Sequence, residues 1–445
     1  MTTDAPTLLP APLLSASARP VLLDDSLRGV PPGTADLSAA DLPLLRWHPA
    51  DGRMALPVLT LDETAFRANR DLFLSYAREQ GVAVAPHAKT PMAPDLARAL
   101  VEGGAWGTTV ADIRQAGVML RAGLDRLILA NGIGGAGGAG RLAALIRRYP
   151  GALLHVFVDS VAAASALAAA WRADPALPPL RVLAETGAAR GGARSLAEVE
   201  AILDVVLASG GRLEPAGVAT YEGAAAVASP ERTLEIIAGL LELTAEAFAL
   251  LRRRLGDRRP LIVTAGGSVF FDRVIAALGP VVAADGAAEL VLRSGAIFFH
   301  DHGVYDRAFA ALDARQGFHP GGAPAAARAL FRPALRLWAE VLSRPEPGLA
   351  VCGLGMRDAS FDQGFPSALA IWRDGRRQDR PPAAEVTKLN DQHAFLALGP
   401  GADIRVGDVV EFGISHPCTC LDRYRVLFGA DGKGFVQHAF PTFFG

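Results

Sequence analysis

Residues 82–130 read VAVAPHAKTPMAPDLARALVEGGAWGTTVADIRQAGVMLRAGLDRLILA. Three short apolar runs, 82–87, 106–110 and 126–130, are strand-like, and a helix-like stretch, 91–102, separates the first two. Strand-like runs that alternate with helical stretches indicate βα units and therefore a parallel sheet. The rhythm continues through 153–158, 180–185, 213–220, 261–264 and 289–293, with helices such as 196–208 and 231–254 between them. Eight such strands predict a closed (β/α)8 TIM-type barrel, with a doubly wound open sheet as the alternative.

Outward from this core the texture changes. On the N-terminal side, 54–61 reads as a strand, and Asp62 or Thr64 caps a helix that ends at Gly81. Residues 1–45 are rich in Pro, Ala and Ser and show no period. Past residue 325, glycine and proline turns multiply around strand-like runs at 334–341, 368–371, 409–412 and 423–428, with turns at Gly407-Asp408 and Gly429-Ala430. The expected division is an N-terminal extension over 1–50, a barrel over 51–325 and a mostly-β domain over 326–445. The glycine-rich run 132–140 lacks a phosphate-loop pattern and reads as a flexible loop.

Composition narrows the function. Hydrophobic residues make up 51% of the 445 and charged residues 20%, enough for a large core and too little charge for disorder. A net charge of −2 gives no electrostatic footprint for nucleic acid. No uncharged apolar run reaches membrane-spanning length, and residues 1–20 lack a basic start and carry Asp4, unlike a secretory signal. Three cysteines make no disulfide framework. The expectation is a cytoplasmic enzyme with a small-molecule substrate.

Three groups carry chemistry. Only Lys89, Lys388 and Lys433 are lysines among 44 basic residues. Where arginine has taken the ordinary cationic positions, a retained lysine points to chemistry that arginine cannot perform, such as imine formation. Lys89 follows the first barrel strand, at the end where barrel active sites lie. Gly266-Gly267-Ser268 follows the seventh strand; glycines there admit a phosphate to backbone N–H groups, although a plain tight turn uses the same residues. Lysine and glycine turn together fit pyridoxal 5′-phosphate. His416-Pro417-Cys418-Thr419-Cys420, if extended, puts His416 and Cys418 on one side as zinc donors, with Cys420 a third ligand or a buried bystander; two buried cysteines beside a buried histidine is the competing reading. His300-Asp301-His302 reads as a solvated loop, and Asp391-Gln392-His393 is ambiguous in the same way.

The segment PHAKTPMAPDLARALVEGGAWGTTVADIRQAGVMLRAGLDRLILAN resembles the D-serine dehydratase and D-threonine aldolase family, which has the alanine racemase-like (fold type III) architecture. The resemblance runs through Trp106-Gly107, Thr220-Tyr221-Glu222-Gly223, Gly266-Gly267-Ser268 and Asp391-Gln392-His393 to His416-x-Cys418. It implies a homodimer with the site between subunits, and Lys89 as the cofactor-bearing residue. Tyr221, just past strand six, is expected to contact the cofactor. The resemblance also implies a divalent metal on His416 and the residue two further on. That residue is cysteine with zinc in the dehydratase-like branch, and typically aspartate with a harder ion in the aldolase branch. Cys418 favours the dehydratase branch, as ligand softness does. Arg357 stands where the family often has lysine, and the N-terminus is longer than in compact members. The expected function is a pyridoxal phosphate- and zinc-dependent dehydratase (ammonia-lyase) acting on D-serine or a related 3-hydroxy D-amino acid. The alternatives are retro-aldol cleavage of the D-threonine aldolase type and a non-catalytic pyridoxal phosphate carrier. Such carriers lack a large C-terminal domain.

Overall fold

The computed structural model describes residues 21–379 and 382–444. The first twenty residues of the expected extension lie outside the described residues. Eight parallel strands form the first sheet: β1 (Ala83–Val84), β2 (Thr108–Val110), β3 (Arg126–Leu129), β4 (Leu153–Val158), β5 (Leu180–Glu185), β6 (Leu213–Ala219), β7 (Leu261–Ala265) and β8 (Ala288–Leu292). Neighbours run in the order β1-β8-β7-β6-β5-β4-β3-β2. The two ends meet through Trp106 N–H on Val84 O (2.7 Å), Thr109 N–H on Pro86 O (2.9 Å) and Ala88 N–H on Thr109 O (2.8 Å). The sheet therefore closes, as the strand count predicts. β1 is shorter than expected because Pro86 has no N–H to give to a ladder.

The strands are apolar on both faces because both are covered. Ile128, Phe157, Leu183, Ile262 and Val291, one from each of five strands, make a cluster of their own with Trp106. A larger core joins the strands' other face to the helices. The helix Glu63–Glu79 starts where the Asp62 carboxylate accepts the N–H groups of Thr64 (2.9 Å) and Ala65 (3.0 Å). The glycine-rich run does not stay a loop: a helix, Ala136–Arg148, begins inside it, since Leu142, Ala143 and Ile146 supply a buried face.

The second sheet is mainly antiparallel and is built from both ends of the chain. Its centre is Leu335–Glu346, which pairs with Val409–Gly413, Leu349–Cys352 and Val58–Asp62. Val426–Ala430 runs parallel to Val58–Asp62 and antiparallel to Val436–Pro441. Residues 58–62, assigned to the barrel by the division at residue 51, are thus a strand of the β domain. Leu23, Val30, Leu42 and Trp47 of the extension pack on the same sheet with Trp338, Val426 and Phe428. Gly429 and Ala430 stay in their strand; the turn falls at Asp431, whose carboxylate takes the N–H groups of Lys433 (2.9 Å) and Phe435 (3.0 Å).

Candidate active site

A cavity of about 300 Å³ lies at the carboxyl ends of the barrel strands, where one edge of the β domain meets the mouth. Lys89, Tyr221, Gly267, Ser268, His416 and Cys418 all line it. Gly266, next to Gly267, is buried and does not line it. The sequence therefore names residues from four separate chain regions that the fold brings together.

Lys89 is carried on a turn fixed by its neighbours. The Lys89 N–H meets His87 Nδ1 at 3.3 Å, and Phe443 near the C-terminus gives its N–H to Met92 O at 2.9 Å. Burial, reinforced by the Lys89 charge, pushes the pKa of His87 well below the usual histidine value, so this imidazole is neutral.

The turn after β7 is held by a residue the sequence reading does not single out. The Glu222 carboxylate, fully buried, accepts the N–H groups of Gly266 (3.0 Å) and Gly267 (2.7 Å). Gly266 has φ +86°, and a Cβ there would come within 2.6 Å of Leu292 Cδ2, so both conformation and space demand glycine. The expectation that both glycine N–H groups face a phosphate is thus met differently: they face Glu222. The hydroxyl of Ser268 accepts the N–H of Ile297 (3.2 Å), and Tyr305 lines the same cavity. Gly295 and Ala296, at the start of a short turn after β8, complete this wall.

Charge in the cavity is one-sided. Lys89, Arg190 and Arg293 line it, and no aspartate or glutamate does. Arg293 is buried and donates to Thr264 Oγ1 (2.8 Å) and Thr220 O (2.6 Å). Burial raises the pKa of nearby Glu185 to about 7, against the opposing pull of Arg293. A lysine amine, a glycine-serine wall and an excess of cations fit pyridoxal phosphate, an aldehyde that carries a dianion.

His416 and Cys418 reach the cavity by a geometry other than the extended one. His416 is the N-cap of a short helix, Pro417–Leu421. Cys418 lies in its first turn and meets Thr90 Oγ1 at 3.3 Å, while Cys420 points into the core, its Sγ 3.8 Å from Asp358 O. Burial opposes a charged His416, but the neighbouring Cys418 and Asp362 outweigh it and raise the pKa to about 9. Among the described residues no cluster of three metal-ligating side chains occurs. An imidazole and a thiol on one cavity wall nevertheless fit zinc, with coordination positions left open for other ligands.

The remaining candidates lie elsewhere. His300 and Asp301 are buried rather than solvated, because the His302 N–H pairs with Ile414 O (3.0 Å) and docks this turn on the β domain. Asp301 Oδ1 accepts the N–H groups of Gly303 (2.7 Å) and Tyr305 (2.9 Å), which starts the helix that carries Tyr305. Asp391, Gln392 and His393 are exposed on a turn, and Arg357 reaches Asp391 at 3.7 Å on the surface. Tyr305, Arg293 and Asp362 escape a sequence reading, and Glu222 stands there only inside the Thr220–Gly223 motif with no role of its own. Only Arg293 leaves a signal there, as a charge at the end of an apolar strand.

Comparison with known proteins agrees with this architecture. Residues 61–270 match the alanine racemase N-terminal domain, and residues 334–430 match the family described as "Putative serine dehydratase domain". A D-threonine aldolase from Arthrobacter sp is 26% identical over 366 residues, which cover 82% of this chain and 86% of that protein. The structure of D-threonine aldolase from Filomicrobium marinum superposes with a TM-score of 0.68 at 23% identity, over 88% of this chain and 95% of that one. D-threo-3-hydroxyaspartate dehydratase from Delftia sp. HT23 gives 0.67 at 22% identity, over 88% and 98%. An alanine racemase-type barrel followed by a serine dehydratase-type β domain is the arrangement the two domain matches give, and in it the chain is similar to the D-serine dehydratase and D-threonine aldolase family of the alanine racemase fold.

Proposed function

We propose that the protein is a pyridoxal phosphate- and zinc-dependent lyase that converts D-serine, or a related 3-hydroxy D-amino acid, to a 2-oxo acid and ammonia. The observation that carries this reading is the placement of Cys418 beside His416 on the wall of the cavity that holds Lys89. The relatives support the substrate class: their names specify D-threonine and D-threo-3-hydroxyaspartate, both 3-hydroxy D-amino acids. Structures of the hydroxyaspartate dehydratase exist with a histidine, and with a cysteine two positions further on, replaced by alanine; the cysteine variant is described as metal-free. His416 and Cys418 have that spacing.

Pyridoxal phosphate, when bound, supplies an electron sink for the electrons left at Cα. Lys89 Nζ would hold the cofactor and, once displaced by the substrate amine, take the α-proton. Gly267, Ser268 and Ala296 would border the phosphate, with the Tyr221 ring packed against Gly267. His416 and Cys418 would hold zinc, which supplies Lewis acidity toward a hydroxyl group. Thr90 beside Cys418 ties the metal wall to the Lys89 turn. In the same reading the protein works as a cytoplasmic homodimer. No helix among the described residues is long and apolar enough to cross a membrane.

A second reading, retro-aldol cleavage, is favoured by the names of two of the relatives. One product assay separates the two. Incubated with D-serine and D-threonine, the zinc-loaded protein is expected to release ammonia and a 2-oxo acid. Glycine and an aldehyde as the main products would replace the dehydratase with the aldolase.

A further inference from the structure

The β-domain loop 353–366 contributes none of the residues that line the cavity, yet one of its side chains stands directly behind the metal wall. Asp362 Oδ2 accepts a hydrogen bond from His416 Nδ1 at 2.7 Å, and Oδ1 accepts one from the Thr419 hydroxyl at 2.6 Å. These two partners flank Cys418 in sequence, so a single carboxylate grips the short helix turn on both sides of the thiol. Both oxygens are in use, so Asp362 is an outer partner rather than a donor in its own right.

The loop that presents Asp362 is itself fastened. The hydroxyl of Ser415, next to His416, donates to Gly364 O at 2.7 Å. At the loop's other end Asp358 accepts the Gly355 N–H at 2.8 Å and pairs with Arg28 of the N-terminal extension. A carboxylate bonded to Nδ1 keeps the proton on that nitrogen, fixes the ring plane and leaves Nε2 as the basic, metal-binding atom.

We propose that Asp362 is a positioning residue of the metal site: it sets the tautomer and orientation of His416 so that Nε2 is presented beside Cys418. The proposal rests on the reading of His416 and Cys418 as metal donors. Its test is zinc affinity rather than turnover. The full-length, pyridoxal phosphate-loaded protein is stripped with a chelator and titrated with zinc against a competing chromophoric chelator. Asp362→Ala is expected to weaken zinc binding by about 10–100-fold, while the metal-free protein melts close to the wild type. Asp362→Asn, which keeps an oxygen acceptor without the charge, is expected to fall between the two, and it carries the decision if the alanine variant does not fold. His416→Ala and Cys418→Ala serve as references. If both lose zinc while Asp362→Asn and Asp362→Ala bind it as the wild type does, the positioning role is overturned and the metal reading stands. If the two reference variants bind zinc normally, the metal reading itself fails.

Discussion

Glu222 accepts the backbone N–H groups of both Gly266 and Gly267, so a side chain from the turn after β6 shapes the turn after β7. Glu222 is fully buried, and replacing the oxygen that faces Gly266 leaves a buried N–H without a partner. Such a loss costs about 1–3 kcal/mol. Glu222→Gln puts an NH2 group against one of the two N–H donors. It is expected to lower the melting temperature measurably and to weaken pyridoxal phosphate binding, read by absorbance titration. Unchanged cofactor affinity would show that the glycine turn holds its shape without the carboxylate.

Lys89 is the expected attachment point of the cofactor. The purified protein is expected to be yellow, and borohydride is expected to fix the pyridoxyl group on a peptide containing Lys89. Lys89→Ala is expected to be colourless and inactive. Label on Lys388 or Lys433 would remove the assignment.

Chelation is expected to stop ammonia release and leave the colour, because Lys89 and the Gly267–Ser268 turn make no use of the metal. Zinc is expected to restore activity better than magnesium, which avoids thiolate. Cys418→Ala is expected to behave like the chelated protein. Cys420→Ala, which removes a buried sulfur that faces away from the cavity, is expected to retain metal and activity. Full dehydratase turnover by zinc-free Cys418→Ala would exclude the proposed chemistry.

Gly266→Ala tests the turn independently. At φ +86°, with Leu292 2.6 Å from the new Cβ, the substitution is expected to cost about 1–3 kcal/mol in urea unfolding. Gly239→Ala, a position in the helix Pro230–Leu255 with nothing within 4 Å of the new Cβ, is expected to be neutral or stabilising. Equal effects at the two sites would contradict the strain argument.

Glu185 supplies a pH dependence. Its folded pKa of about 7 lies above the ordinary 4.5, so the folded chain keeps this proton to higher pH than the unfolded chain. Stability is therefore expected to fall as pH rises from about 4.5 to 7, by up to about 3 kcal/mol from this group, and to level off above that. Glu185→Gln is expected to flatten the profile and to be more stable than the wild type at pH 8. Parallel pH profiles in urea unfolding would show that burial does not hold the proton there.

The barrel was legible because its period is local: short apolar strands and capped helices alternate within about 25–30 residues, as each βα unit requires. His416 and Cys418 do line one cavity, but not through the geometry expected of them. An extended chain would have put Cys420 alongside them, whereas a helix turn sends that sulfur into the core. Glu222 and Asp362 were not legible, because their partners lie 44 and 54 positions away and are brought close only by sheet closure and loop docking. The turn at His300 looked solvated because its run of polar residues shows no apolar face; Phe309 packs on His300 with ring centroids 4.6 Å apart, and Ile414, from the other domain, takes the His302 N–H.

The strand Val58–Asp62 has a consequence for how this protein must be made. Thr60 and Arg336 lie in paired strands, 276 positions apart, and the parallel neighbour of Thr60 is Phe428. At about 5–20 residues per second, a ribosome needs roughly 14–55 s to travel from the first of these strands to the second. Through that interval Leu59 and Leu61, fully buried in the finished protein, have no strand partner, and the open edge needs shelter from aggregation. The strand leads directly into the helix that opens the barrel, so the barrel begins to form while its entry strand is still unpaired. A nascent chain that stops short of residue 430 would leave that edge open, which makes the strand Val426–Ala430 the latch of Val58–Asp62.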